Sequence, residues 1–165
     1  MRHVEFVPFR LTEVAEIFSI RINDKEQTEL QEFLIAFKNT DSISIQKDLE
    51  QIVRSLVEIS NQGSKESFFR PEGKMNDRLC AIPLYTYNGN NRKRGGSLRL
   101  YCIRLSDKLL IVGNGGVKTT KTYEEDENLS KHVQTLQAID AELSKLERDG
   151  KDLQKEIYNL TLQIN

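Results

Sequence analysis

In the run Leu98–Leu105 (LRLYCIRL), alternation puts Arg99, Tyr101 and Ile103 on one face of a strand and Leu98, Leu100, Cys102 and Arg104 on the other. With Leu98, Leu100 and Cys102 turned to a core, Arg99 and Tyr101 share the open face, where a guanidinium holds a phosphate and a phenol ring stacks on a base. Lys118 and Lys121 follow on the neighbouring segment, with Tyr123 close behind. Lys74 and Arg78 flank the same concavity if their strand pairs beside this one. Arg92, Lys93 and Arg94 lie in a Gly/Asn-rich stretch (YNGNNRKRGGS) and either steer a polyanion electrostatically or form a solvated charge run. The chain has only two histidines, His3 and His132, both outside this basic segment, so proton transfer there must rest on Arg, Lys, Tyr or carboxylates.

Several elements must position these side chains. His3–Arg10 and Val14–Ile22 read as two strands joined by a hairpin. Asp24 with Gln27 has the form of a capping box, followed by Leu30, Phe33, Leu34 and Phe37 at the spacing of one helix face. Ile45, Leu49, Ile52, Val53, Leu56 and Ile59 repeat that spacing in a second helix, with Gly63 as its stop. Residues 64–75 read as a loop and Arg78–Tyr87 as a strand interrupted by Pro83. Residues 87–97 read as a mobile hairpin loop, Leu98–Leu105 and Leu109–Val112 as the strongest strands, and Val117–Tyr123 as a last one. Thr122 and Glu125 offer a second capping box. Beyond it, Leu136, Ile139, Leu143, Leu146, Leu153, Ile157, Leu160 and Ile164 keep the alternating 3/4 spacing of a coiled coil, with Gly150 in one core slot. The preserved register favours one continuous helix over a turn at Gly150. Whether that helix binds a partner or packs on its own domain stays open.

The formal net charge is −1, but it is unevenly spread. Residues 65–123 hold 12 Lys and Arg against 4 Asp and Glu, a net of +8, whereas 1–64 carry −4 and 124–165 carry −5. A basic middle between acidic ends is the footprint of a polyanion-binding face, or of a basic face neutralised by the protein's own acidic helices. The absence of a run of eighteen apolar residues argues against a membrane span, and the start MRHVEFVPFR lacks the pattern of an export signal, so a cytoplasmic location is expected. Cys80 and Cys102 match no zinc or redox spacing and read as reduced cysteines packed in a sheet, so neither a metal nor a cofactor is expected. GNGGVKTTK resembles a phosphate loop but fails the GxxxxGK[ST] spacing, because Val117 separates Gly116 from Lys118. Its glycines fit a bulge between strands better.

Over 97–123 the chain resembles the RelE/HigB toxin superfamily. That family has a strand of type LRVFY, a short turn, a strand of type KIVLLH, then a glycine and a basic VKKTQKT stretch leading to a helix. Here the order reads Leu98-Arg99-Leu100-Tyr101, a turn at Ser106-Asp107, Lys108-Leu109-Leu110-Ile111-Val112, then Gly116-Val117-Lys118-Thr119-Thr120-Lys121-Thr122 and a helix from Glu125. Two helices also stand upstream, as in the family, and the likeness spans residues 25–148.

The resemblance implies the toxin of a type II toxin–antitoxin pair, a cytoplasmic, metal-independent endoribonuclease (a hydrolase in class) that cleaves mRNA in the ribosomal A site. Such an enzyme positions RNA so that a ribose 2′-OH attacks its own phosphate, stabilised by cationic side chains. Carried over position by position, Arg99 is the phosphate-stabilising residue. Lys118 and Lys121 contact phosphate or ribosomal RNA, Tyr123 stacks on or orients the scissile nucleotide, and Arg78 adds charge. Lys74, Tyr101, Arg92, Lys93 and Arg94 are the expected RNA contacts. The expected partners are a cognate antitoxin, mRNA with the ribosome, and a second copy through the 126–165 helix.

The expected architecture is α+β. A mainly antiparallel sheet packed by two helices occupies residues 1–125, and a helical extension of coiled-coil character occupies 126–165. The alternative functions are a noncatalytic RelE-like module that binds RNA or protein and oligomerises through that helix, and a gyrase-directed toxin of the related ParE type.

Overall fold

β1 (Arg2–Leu11) and β2 (Glu16–Ile22) form an antiparallel hairpin in which Val4 faces Ile22 and Phe6 faces Ile20. The chain then turns through Asn23 and Asp24, both with positive φ (53° and 56°). That left-handed turn moves the start of the first helix past Asp24, the residue expected to cap it. Thr28 caps α1 (Glu29–Phe37) instead, and its capping-box partner is Gln31, not Gln27. α2 (Ile43–Gln62) follows, capped by Ser42 and stopped at Gly63. In this computed structural model, residues 1–72, 78–119 and 126–165 are described.

The main sheet has seven strands in the order β3-β4-β7-β8-β2-β1-β9. Its remaining members are β3 (Arg70–Pro71), β4 (Leu79–Ala81), β7 (Leu98–Ser106), β8 (Leu109–Val117) and β9 (Thr161–Ile164). The sheet is mixed: β2 and β8 run parallel at its centre, with Phe18 beside Ile111, and the other pairings are antiparallel. The segment expected as a mobile loop is instead a separate two-stranded hairpin, β5 (Tyr85–Asn88) and β6 (Asn91–Arg94), with Tyr85 opposite Arg94 and Tyr87 opposite Arg92. Strand-forming Tyr and Thr on one side and a Gly89-Asn90 turn on the other account for that order.

Both faces of the sheet are buried. Leu98, Leu100 and Cys102 of β7 meet Leu30 and Phe33 of α1 and Ile52, Leu56 and Ile59 of α2. On the opposite face, Tyr101 and Ile103 share a core with Phe18, Ile20 and Ile111 and with α3 (Glu127–Arg148). The strand alternation expected from sequence therefore stands, but the face expected to be open is covered by α3. Leu129, Val133, Leu136, Ile139 and Leu143 of that helix are all buried, each burial being worth about 1.5–3 kcal/mol. A coiled-coil extension would forgo that sum unless a partner replaced it.

The helix expected to run on to residue 165 ends at Asp149, where Gly150 takes φ +85° and its amide donates to Glu147 O. That left-handed position is the ordinary stop signal of a helix and costs glycine nothing. The chain then forms the short α4 (Leu153–Glu156) and returns as β9, an antiparallel partner of β1 with Val4 opposite Leu162. Leu153, Ile157, Leu162 and Ile164 join the same core as α3. The spacing that reads as one coiled-coil stripe thus belongs to three elements packed on one sheet face. The expected 126–165 extension is part of the domain, and its apolar stripe is not available as a dimer seam.

Cys80 and Cys102 are opposite each other on β4 and β7, buried and unbonded. Burial pushes the Cys102 thiol up, as for an unreactive core cysteine. No helix among the described residues is long and apolar enough to cross a membrane.

Candidate functional site

α2 fixes the basic end of the sheet through two side chains one turn apart. Asp48, buried on the inner face of the helix, accepts hydrogen bonds from the backbone amides of Ser97 (2.8 Å) and Leu98 (3.1 Å), so β7 starts at a defined point. Gln51 clamps the hairpin from both sides, donating to Tyr85 O at 2.9 Å and accepting from Tyr85 N at 3.1 Å. β8 closes against β7 at Gly115, where a Cβ would lie 1.8 Å from Arg99 O. The glycine-rich run is therefore a strand with a bulge, because only a bare Cα fits against the Arg99 backbone.

These constraints deliver Arg99 to a small cavity of about 80 Å³ whose cationic lining is Arg70, Arg94 and Arg99, with Pro83 and Leu84 as part of its apolar wall. Arg99 Nη1 donates to Leu98 O (2.9 Å) and Gly96 O (3.1 Å), while its buried Nε has no hydrogen-bond partner among the described residues. Burial first, and the Arg70 guanidinium second, push the Arg99 pKa below its ordinary value. A guanidinium in such a place gains most from an added anion, which would offset both the desolvation and the repulsion. Arg70 Nε lies 3.4 Å from Glu72 Oε1. Lys118 follows directly: Leu98 pairs with Val117, and the Lys118 amide donates to Ser97 O at 2.7 Å.

A second concavity of about 310 Å³ opens between α2 and the hairpin, lined in part by Ser55, Glu58, Phe68, Tyr85 and Arg92. The Arg92 guanidinium stands 4.2 Å from the Tyr85 ring centroid, a cation–π stack, and Tyr87 beside it is 69% exposed. Arg92, Lys93 and Arg94 are all exposed on β6.

Two of the residues picked from the sequence are engaged elsewhere. Tyr101 is 1% exposed in the core beneath α3, so it offers no ring to a base; burial also pushes its phenol pKa well up. Arg78 faces α3: Nε donates to Asp140 Oδ1 at 2.9 Å, Nη1 reaches Glu147 Oε1 at 2.6 Å, and Nη2 donates to Ser144 Oγ at 3.2 Å. With Asp140 4% exposed, Arg78 is a structural tie between the segment entering β4 and α3 rather than a free phosphate ligand. Lys74, Lys121, Tyr123 and the Thr122/Glu125 capping box lie outside the described residues; Asp126 caps α3 instead.

Sequence reasoning missed Arg70, Asp48, Gln51 and Tyr87. Arg70 sits before a proline in a segment read as a loop, and Asp48 and Gln51 look like ordinary polar helix positions, so nothing local marks them. No family model, no curated protein and no solved structure matches the chain.

Proposed function

We propose that the chain is a RelE/HigB-type toxin, a cytoplasmic RNA-binding protein that acts on mRNA with phosphate contacts at the arginine-lined end of the sheet. The observation that carries this reading is the convergence of Arg70, Arg94 and Arg99 on one cavity, where the Glu72 and Asp48 carboxylates offset part of the charge. Three arginines lining one small cavity offer an anion such as phosphate a cationic setting, and Arg99 stands where the resemblance requires a phosphate-stabilising cation. The order of elements over 98–127 supports it as well: a strand, a tight turn, a second strand, a basic stretch and a helix. Arg92 and Lys93 on the hairpin extend positive charge away from the cavity, and Tyr87 takes over the stacking role that burial denies to Tyr101.

In the cleavage that the resemblance implies, the ribose 2′-hydroxyl gives its proton to water and its oxygen bonds to the adjacent phosphorus. The bond to the 5′-oxygen breaks and that oxygen takes a proton from water, leaving a 2′,3′-cyclic phosphate and a 5′-hydroxyl. Arg99, Arg94 and Arg70 offset charge on the non-bridging oxygens. Lys118 on the neighbouring rung supplies a further phosphate contact. A cognate antitoxin would cover this surface with acidic groups.

A second reading is a noncatalytic RNA-binding module on the same surface. It is favoured by one observation: Arg78, one of the five side chains expected to act in catalysis, is committed to carboxylates on α3.

Inducible expression of the wild type and of Arg99→Ala/Lys118→Ala in a bacterial host, with growth and mRNA integrity followed together, separates these readings. Arrest with rapid mRNA cleavage in the wild type alone supports the toxin. Healthy growth and intact mRNA at confirmed expression, with RNA binding retained by the purified protein, supports the noncatalytic module. Loss of RNA binding as well would overturn both.

A further inference from the structure

The opposite edge of the sheet brings together one imidazole and two carboxylates that are remote from the basic end. His3 on β1 points Nε2 at Glu5 Oε1, 3.4 Å away on the same strand, and at Asp24 Oδ1, 3.8 Å away in the turn after β2. All three donor atoms lie within 4.8 Å of one another. The turn that brings Asp24 here is tied to β1: Asn23 N donates to His3 O at 2.8 Å, and the His3 amide donates to Asn23 Oδ1 at 2.9 Å. On the far side of the ring, Nδ1 lies 3.2 Å from the side-chain amide nitrogen Nε2 of Gln163 on β9.

The spacings discriminate between two uses of these groups. A direct imidazole–carboxylate hydrogen bond needs about 2.7–3.2 Å, shorter than either contact. An ion with bonds of about 2.0–2.2 Å in tetrahedral geometry sets its ligand atoms about 3.3–3.6 Å apart. The Glu5 contact of 3.4 Å falls in that range and the Asp24 contact of 3.8 Å is slightly longer. Glu5 gives its other oxygen, Oε2, to Arg21 Nη1 at 3.8 Å, which leaves Oε1 for the shared site. Lys25, the nearest lysine in sequence, is engaged with Glu29 and Glu32. Gln163 supplies the remaining element. Its amide nitrogen faces Nδ1. A half-turn of that amide, which exchanges its nitrogen and oxygen in place, would let the oxygen accept the Nδ1 proton and leave the Nε2 lone pair for an ion, as the outer-shell partners of metal-bound histidines do.

We propose that His3, Glu5 and Asp24 form a three-ligand site for a divalent transition-metal ion of the zinc type, with water completing the tetrahedron. One nitrogen and two oxygens suit a borderline cation. Such an ion would clip β1 to the β2–α1 turn, with β9 orienting the imidazole. The site does not depend on the RNA reading, since it shares no residue with the arginine cavity.

Titration of the full-length, tag-free protein with cobalt(II) and zinc(II) tests this, read by visible absorption and calorimetry. The expected result is one ion per chain, with the visible bands of four-coordinate cobalt displaced by zinc. His3→Ala should abolish uptake, and Asp24→Asn, which tolerates the left-handed backbone, should weaken it. Gln163→Leu should weaken it about tenfold through the imidazole orientation alone. His132→Gln should bind as the wild type does. Far-UV circular dichroism confirms that each variant is folded. Absence of saturable uptake by the folded wild type, or uptake that survives His3→Ala, would overturn the site.

Discussion

Arg78, just before β4, and Arg99, on the neighbouring β7, are treated by the molecule in opposite ways. Around Arg78, α3 supplies Asp140, Ser144 and Glu147, so the guanidinium is satisfied by carboxylates at 2.6–2.8 Å and serves the fold. Around Arg99 the described residues supply two backbone carbonyls, a second and a third arginine, the field of the Glu72 and Asp48 carboxylates, and no hydrogen-bond partner for Nε. A residue type is therefore a poor guide to role. What separates a structural cation from a binding one is whether the chain brings it enough negative charge. At Arg78 removal leaves a buried carboxylate stranded, whereas at Arg99 it relieves a repulsion.

Breaking the compensated side should have the largest effect. Arg78→Ala strands Asp140 beneath α3 and should cost about 3–5 kcal/mol in urea unfolding. Arg78→Ala/Asp140→Ala should recover part of that loss, and a double mutant with no recovery would show that the pair is not coupled.

Glu29 on α1 sharpens the contrast from the acidic side, because a buried carboxyl can also escape its charge by keeping a proton. Burial, then the neighbouring Glu32 carboxyl, push its pKa from 4.5 to about 7, against the opposing pull of Lys25 and Asn114. The folded state holds this proton more tightly than the unfolded chain does. Its favourable contribution is therefore complete below pH about 4.5, shrinks as pH rises and is gone above about 7. Glu29→Gln should remove that slope and raise stability at pH 8 by on the order of 2–3 kcal/mol relative to wild type. Parallel pH–stability curves for the two proteins would contradict it.

Asp48→Ala should cost about 2 kcal/mol, since two buried amide bonds to a carboxylate are lost. It should also weaken RNA binding by releasing the start of β7. The smallest stability effect belongs to Arg99→Ala, within about 0.5 kcal/mol of wild type. That variant should nevertheless bind RNA less tightly and flatten the dependence of log K on log salt by about one unit. A destabilisation as large as that at Arg78 would erase the distinction between the two arginines.

The alternation in β7 was legible because period-two patterning survives whatever covers the strand. That its second face is also covered was signalled elsewhere, in the continuous apolar run of β8 (LLIV), which is typical of a strand buried on both sides. The terminal helix was misread for a related reason. Leu143, Leu153 and Ile157 keep a helical spacing across Gly150 because they return to one core, not because they share one axis. The cation at Arg99 was found from alternation, but its setting was not. Arg70, Arg94 and Asp48 reach it from β3, β6 and α2, and sequence distance hides such encounters.

The pairing of β9 with β1 has a kinetic consequence. Arg2 lies opposite Ile164, so this rung closes only when nearly the whole described chain is in place. Contacts of such long separation form slowly, because the entropy of loop closure is paid before they return anything. Until β9 docks, the outer edge of β1 is an unpaired template backed by Val4 and Phe6, open to any other extended chain. A nascent protein stalled short of residue 161 would present that edge throughout the stall, which makes it the place where aggregation of this protein should begin.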